Sequence, residues 1–560
     1  MNDDKDAKPM TFSINRRGLL AAFGSGAGIG LAPVAGAAPL VTSAAFLHGV
    51  ASGDPSADGA IIWTRATVPV GKSGDVPLTW HVARSASGKP VKSGTVTATA
   101  AADNTAKVDV SGLSPATEYW YWFQSGDGKT TPKGRFRTLP TGKTDQLVIA
   151  LATCQLYPGG FFNAYEDMAK LKRLDAVVHL GDYIYEYGAD GYGAETGKKT
   201  GRLPDPSHEI VTLDDYRRRH AQVKADPQMQ MAHARAAFIC VWDDHEVAND
   251  SWIGGAENHD PAREGDWRAR KAAALQAYFE WMPIRAPRNA DEPAAIYRSF
   301  EFGDLATLAM VETRLLARSP QIASKGTAPD AAEVAEMLAA RQDPSRELLG
   351  AQQMKWLEGV LAGSVKAGKP WQMLGNQVVM ARVPGPDLRK AVGDEAYEAM
   401  VARLPESYRT LIAKAQIAYA QGLPFNLDAW DGYPVARERL YAMLRRVGAN
   451  PLAFAGDSHA AWANNLHDDS GLRIGTEFGT TAITSPSYGS LLPGLGKIIA
   501  QQSPEVAFCD QDLKGYTIVT LSPETATAEF VTVSTVTSRQ FTRGIAARYE
   551  ARKGTLRAIA

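Results

Sequence analysis

From residue 145 onward, short apolar runs alternate with longer amphipathic stretches. Val148-Ile149-Ala150-Leu151, Ala176 to Leu180, Phe238 to Trp242, Ala306 to Val311, Gln372 to Gly375 and Leu452 to Ala455 contain few polar positions. Runs of this kind are what strands covered on both faces look like, and they predict a buried sheet. Between them, Phe161 to Leu174, Arg346 to Leu361 and Val435 to Val447 carry apolar residues at helical spacing and are expected to pack over that sheet. The expected architecture is an α/β fold layered as α/β/β/α or α/β/α. Tyr516 to Leu521 and Ala526 to Val536 flank Ser522-Pro523-Glu524 and predict a closing antiparallel hairpin. Before residue 140 the pattern is different: alternating runs such as Ala60 to Thr64, broken by Gly, Ser and Asp, predict a small β-sandwich.

The resulting division is a targeting segment over 1–38, a β-sandwich over 44–140, a large α/β domain over 145–545 and a tail over 546–560. Leu113-Ser114-Pro115-Ala116-Thr117-Glu118-Tyr119 resembles the corner of fibronectin-type domains, where a tyrosine pins a turn. In the first segment, Arg16-Arg17 precedes an apolar run from Leu19 to Leu31 and the small residues Ala35-Gly36-Ala37. Asn15-Arg16-Arg17-Gly18-Leu19-Leu20 resembles a twin-arginine export signal, which implies a twin-arginine translocase as partner and a periplasmic or secreted product. The apolar run is shorter than the roughly 20 residues that span a bilayer, so no permanent membrane anchor is expected.

The 560 residues include 60 basic and 61 acidic side chains, a net charge of −1 that disfavours a dedicated nucleic-acid binder. With 45% hydrophobic residues the chain can bury a large core, and its three cysteines do not build a disulfide scaffold. Cys240 lies inside an apolar run and reads as core.

Chemistry concentrates where the buried strands end. Cys154-Gln155, Gly181-Asp182-Tyr183-Ile184-Tyr185, Asp243-Asp244-His245-Glu246, Glu312-Thr313-Arg314 and Gly456-Asp457-Ser458-His459 each follow an apolar run. A single aspartate after a strand is usually a cap or turn former, whereas the carboxyl ends of strands in open α/β folds are where sites assemble. Thiolate, carboxylate, phenolate and imidazole together suit a hard, highly charged ion such as ferric iron. Asp182, Asp244, Asn249 and Glu312 offer oxygens to a second ion such as Ca2+, Mg2+ or Mn2+. Two adjacent cations would activate water and stabilise the in-line displacement of a phosphate ester. Arg314 is expected to meet phosphate oxygens, and His245 to stabilise charge or protonate a leaving group. Adjacent Ser458 and His459 have the wrong geometry for a serine triad, and His245-Glu246 lacks the second histidine of a zinc-protease helix. His179 reads as a hydrogen-bonded core residue, and the Gly- and Tyr-rich stretch from Tyr187 to Gly201 as a loop beside the site.

Phe46-Leu47-His48-Gly49-Val50-Ala51-Ser52-Gly53-Asp54-Pro55, Ile62-Trp63-Thr64-Arg65 and Trp242-Asp243-Asp244-His245-Glu246-Val247-Ala248-Asn249 closely resemble the alkaline phosphatase D family, within the calcineurin-like metallophosphoesterases. Cys154-Gln155, Gly181 to Tyr187, Trp430-Asp431-Gly432-Tyr433-Pro434 and Gly456 to His459 extend the match. The resemblance implies an α/β/β/α sandwich, a phosphomonoester or phosphodiester substrate, and ferric iron with one or two calcium ions. Position by position it puts Cys154, Asp182, Tyr185 and His459 around iron, with Asp182 shared towards calcium. Asn249 and Glu312 would complete the calcium side and Arg314 would meet phosphate; Asp244, which shares one short motif with Asn249 and is an alternative to it, and Asp457 are further candidate metal ligands. Glu312 departs from the family's usual aspartate.

Overall fold

The computed structural model describes residues 39–560 apart from 288 and 325–328, so the expected export segment over 1–38 lies outside the described residues. The N-terminal part supplies β1 (Val50–Ser56), β2 (Gly59–Arg65), β3 (Val76–Ala83), β4 (Pro90–Ala98), β5 (Thr105–Val110), β6 (Glu118–Ser125) and β7 (Gly134–Arg137). The apolar runs then become β8 (Leu147–Ala152), β9 (Ala176–His179) and β10 (Phe238–Cys240), followed by β11 (Arg298–Phe302), β12 (Ala306–Met310), β13 (Trp371–Gly375) and β14 (Pro451–Ala455). The chain closes with β15 (Ala461–His467), β16 (Arg473–Gly479), β17 (Val506–Asp510), β18 (Lys514–Leu521), β19 (Thr525–Val533), β20 (Arg543–Arg552) and β21 (Thr555–Ala558).

Every residue of β8, β9, β10, β12, β13 and β14 is buried, which is why these segments show no polar alternation. They divide between two sheets. The larger runs β21-β20-β19-β18-β8-β9-β10-β1-β2-β5 and the smaller β11-β12-β13-β14-β16-β15-β17. One hydrophobic cluster joins the facing surfaces, with Ile149, Leu151, Val178 and Phe238 from the larger sheet and Leu308, Met310, Met373, Phe454 and Phe478 from the smaller. A second cluster covers the outer face of the smaller sheet with Leu357 and Leu361 of the helix Gly350–Lys366 and Leu440 and Leu444 of Pro434–Val447. Helices Leu213–Ala225 and Pro227–Arg235 lie on the side of the larger sheet, started by a Thr212/Asp215 capping box and by an Asp226 cap before proline. The expected α/β/β/α sandwich is the observed one.

Strand pairing revises how two of the expected units are built. Residues 44–140 are not a self-contained sandwich: β1 pairs in parallel with β10, Gly53 opposite Phe238, so that β1, β2 and β5 continue the larger sheet. The remaining strands form a separate sheet, β4-β3-β6-β7. Gly53 is required at the junction because a Cβ there would lie 2.3 Å from the Pro283 carbonyl oxygen and 2.5 Å from that of Phe238. β1 and β2 are buried almost end to end, unlike β6, whose alternate residues face solvent. The anticipated corner is present, with Tyr119 Oη accepting from the Ser114 amide at 3.0 Å. Residues 546–560 are likewise no tail, since they fall in β20 and β21 at the sheet's edge. Their charged positions hide a half-buried face on which Tyr549 meets Phe508 with ring centroids 5.7 Å apart.

A buried ion-pair network locks the junction. Asp54, 1% exposed at its side chain, accepts from Arg298 Nη2 at 2.7 Å and from the Arg285 amide at 2.8 Å. Asp54→Ala leaves the Arg298 guanidinium without its carboxylate and the Arg285 amide without its acceptor, and is expected to cost about 3–5 kcal/mol in urea unfolding. His220 stacks on Trp281 and His48 meets the same ring edge-on, and burial, aided by Lys224, holds His179 and His220 down to about 3. His48 is likewise held at about 3 by burial, Arg65 and Lys224. Between pH 3 and about 6.5 the unfolded chain therefore binds protons that the folded one rejects, so the stability these histidines confer is present above 6.5 and lost as pH falls. Melting temperature should drop through this window, and His220→Phe should flatten the slope.

Candidate metal centre

The ends of β8, β9, β10, β12 and β14 converge on one rim of the two stacked sheets, which brings Cys154, Asp182, Asp243 to Glu246, Glu312 to Arg314 and Asp457 to His459 together. Four of these residues, Cys154, Asp182, Asp457 and His459, have φ of 55°, 57°, 56° and 56°. The left-handed region costs a residue with a Cβ about 1–3 kcal/mol, so the surroundings must impose it. They do so through backbone bonds between the turns: Cys154 donates to the Gly181 carbonyl at 3.2 Å and Gln155 to that of Asp182 at 3.0 Å. Glycines permit the approach, since a Cβ on Gly181 would stand 2.4 Å from Asp243 Cβ, and one on Gly456 2.5 Å from Thr153 Oγ1.

One group of ligand atoms comes from Cys154, Asp182 and His459, all within 4.8 Å of one another. Tyr185 joins it, its Oη 3.0 Å from Asp182 Oδ2 and 3.4 Å from His459 Nε2. Nδ1 of His459 lies 2.5 Å from the Pro486 carbonyl, to which it donates, which leaves Nε2 as the lone-pair nitrogen facing the group. Burial, and after it the negative charge of Asp182, pushes both the Cys154 thiol and the Tyr185 phenol well up.

The second set lies alongside. Asp182, Asp244 and His245 offer atoms within 4.8 Å of each other, as do Asp243, Asp244 and Asp457. Among the described residues, Asp182 Oδ1, Asp243 Oδ2 and Asp244 Oδ1 are buried carboxylate oxygens with no hydrogen-bond donor. A buried carboxylate oxygen with no hydrogen-bond donor is costly, and three in one place fit a cation. Burial lifts Asp243 above the usual carboxylate range, whereas Arg314 and His245 overcome burial at Asp244 and hold it below that range.

His245 was expected near the chemistry and lies there, its ring 4.2 Å from that of Tyr185. Its Nδ1 is 2.7 Å from Glu186 Oε2, and although burial opposes protonation, Glu186, Asp244 and Asp182 raise it well above an ordinary histidine. The Asn249 amide Nδ2 donates to Glu257 at 3.2 Å and its backbone N–H to Glu186 at 2.7 Å. Tyr192, on the expected loop beside the site, donates to the Pro486 carbonyl at 2.7 Å and stacks on His459.

Two expectations are corrected. Glu312 does not turn towards a cation: its Oε1 accepts from Trp242 Nε1 at 2.9 Å and from the amides of Arg314 and Leu315 at 2.8 and 2.7 Å, and its Oε2 from Leu316 at 2.9 Å. The longer side chain of glutamate curls back over its own turn and is saturated there. Arg314 does not present a free fork to phosphate. It is fully buried, pairs with Asp243, binds Asp428 bidentately at 2.7 and 2.8 Å, and reaches Asp457 at 3.0 Å. Sequence reading missed Asp243 as a site carboxylate, Glu186 behind His245 and Asp428 on Arg314. Only position signalled them: Asp243 and Glu186 sit inside motifs already singled out, and Asp428 two residues before one. Glu312→Gln is expected to lower stability by about 1–3 kcal/mol while leaving metal content unchanged, as unfolding and elemental analysis would show.

The family model described as PhoD-like phosphatase matches residues 149–530, and that described as the PhoD-like phosphatase N-terminal domain matches 33–140. Alkaline phosphatase D of Bacillus subtilis (strain 168) is 34% identical over 518 residues, covering 90% of this chain and 80% of its own length. A solved structure titled as that of PhoD superposes with a TM-score of 0.77 at 32% identity, covering 93% of each chain. This chain belongs to the PhoD-like phosphatases and is a hydrolase of phosphate esters.

Proposed function

We propose that this phosphatase works with ferric iron held by Cys154, Asp182, Tyr185 and His459, and with calcium or another divalent ion held by Asp182, Asp243, Asp244 and Asp457. The observation that carries the reading is the convergence of three donorless buried carboxylate oxygens beside a thiol, a phenol and an imidazole. When bound, the ions would supply charge to the phosphoryl oxygens and an activated water at neutral pH. The chain's own side chains do the rest. Asp182 is common to two of the ligand groups and fixes their separation. Nδ1 of His245 is engaged with Glu186, which leaves Nε2 as the atom that passes a proton to the leaving oxygen. Arg314 serves first as an internal counter-ion that gathers Asp243, Asp428 and Asp457.

The substrate is a phosphate mono- or diester. The diester reading, including phospholipids, draws support from an aromatic ring near the acidic site: Tyr488, within the field of Asp457 and Asp428, is 58% exposed. The motif Asn15 to Leu20 supports export through the twin-arginine translocase to the periplasm or beyond. Among the described residues no helix is long and apolar enough to cross a membrane.

The protein as purified should contain iron and a divalent ion and absorb in the visible through thiolate and phenolate ligation. Cys154→Ala and Tyr185→Phe should remove or shift that band, and Asp182→Asn should lower kcat by about a thousandfold or more. Full activity in exhaustively chelated, colourless protein would sink the metal reading. Parallel assays on aryl monoesters, aryl diesters and phosphatidylcholine would separate the substrate classes.

A further inference from the structure

Glu246 closes the Asp243 to Glu246 motif and has no part in the chemistry above, yet it is 2% exposed and all its identified hydrogen bonds are to the backbone of the site. Its Oε2 accepts from the amide of Asp182 at 3.0 Å and from that of Asp243 at 2.8 Å, while Oε1 accepts from Tyr183 at 2.6 Å. One carboxylate oxygen thus joins the ends of two neighbouring strands, β9 and β10, at the residues that carry the site's carboxylates. We propose that Glu246 is a positioning residue for the metal centre, setting the left-handed turn at Asp182 and its distance from Asp243. The proposal rests on the metal reading above.

Three features make Glu246 more than a buried acceptor. Asp182 occupies the left-handed region at φ 57°, a conformation that needs an external partner to hold its amide in place. A Cβ on Gly181 would stand 2.4 Å from Asp243 Cβ and 2.5 Å from its amide nitrogen, so the turn before Asp182 leaves no room for a side chain of its own there. The Asp182 side chain itself has one donor, Tyr185 Oη, and one oxygen with none, so its direction is inherited from the backbone. Bonds from three amides to one side chain supply that constraint. Because Asp182 is shared by two ligand groups, a shift of its turn disturbs both at once. Glu477 is a natural control: it is equally buried and accepts from the amides of Met380 and Ala381 and from Asn464, none of them a proposed ligand.

The experiment compares full-length Glu246→Gln and Glu477→Gln with the parent by melting temperature and by chelator competition for iron and calcium. In Glu246→Gln an N–H group faces backbone N–H groups, and metal affinity should fall by roughly 10–100-fold, whereas Glu477→Gln should lose stability with its metal affinity intact. Glu246→Asp, which keeps the carboxyl group but is shorter, should fall between Glu246→Gln and the parent; it decides the matter if Glu246→Gln does not fold. Equal metal affinity in the parent and in a folded Glu246 variant would overturn the proposal and leave the metal reading standing. A parent protein that takes up no metal would overturn both.

Discussion

The centre of this molecule depends on how closely the strand ends are drawn together. Buried strands carry small or apolar side chains so that two sheets can stack, and the turns that leave them meet at a common rim. At that rim the backbone adopts left-handed geometry at Cys154, Asp182, Asp457 and His459, none of them glycine. Such geometry persists only where neighbouring groups over-determine it. Here they are the Gly181 carbonyl, the Glu246 carboxylate and the contact between Gly456 and Thr153. The strain turns each side chain sharply out of its strand direction and points the donors at one volume.

The electrostatics follow from that geometry. Asp182, Asp243, Asp244, Asp428 and Asp457 crowd together, and the cationic groups that touch them are chiefly Arg314, Arg318 and His245. Arg314 neutralises part of the charge from within, its pairings with Asp243, Asp244, Asp428 and Asp457 holding separate turns together. What remains is negative and includes oxygens with no donor, which is the condition a multivalent cation relieves. The same buried arginine therefore organises the site more directly than it could recognise a substrate.

The N-terminal segment belongs to this construction as well. By extending the larger sheet past β10, it covers an edge beside the site-bearing strands and anchors them through Asp54 and Arg298, whose Nη2 also donates to the Cys240 carbonyl at 2.7 Å. Cys240 ends the strand that leads to Asp243 and Glu246, so the junction braces the motif from behind.

Much of this was legible in the residue pattern. Apolar runs without alternation marked the buried strands, the polar clusters after them marked the rim, and the motifs identified the family, because those features depend on local chemistry and spacing. Partners separated along the chain were not legible. Nothing near Val50 signals that β1 docks on β10, and the charged alternation of residues 543–558 conceals edge strands whose inner face is apolar only in part. Glu312 and Asp243 show the same limit at the site. Both are carboxylates directly after buried strands, and sequence alone favoured the first. Which one faces the centre depends on side-chain length and on the amides within reach: Glu312 is long enough to bond back to its own turn, while Asp243 is held by its backbone on Glu246 and turns its carboxylate inward. The sequence by itself determined the layers, the rim and the kind of chemistry there; tertiary structure decided which carboxylates belong to it, because only the packed turns set the distances between them.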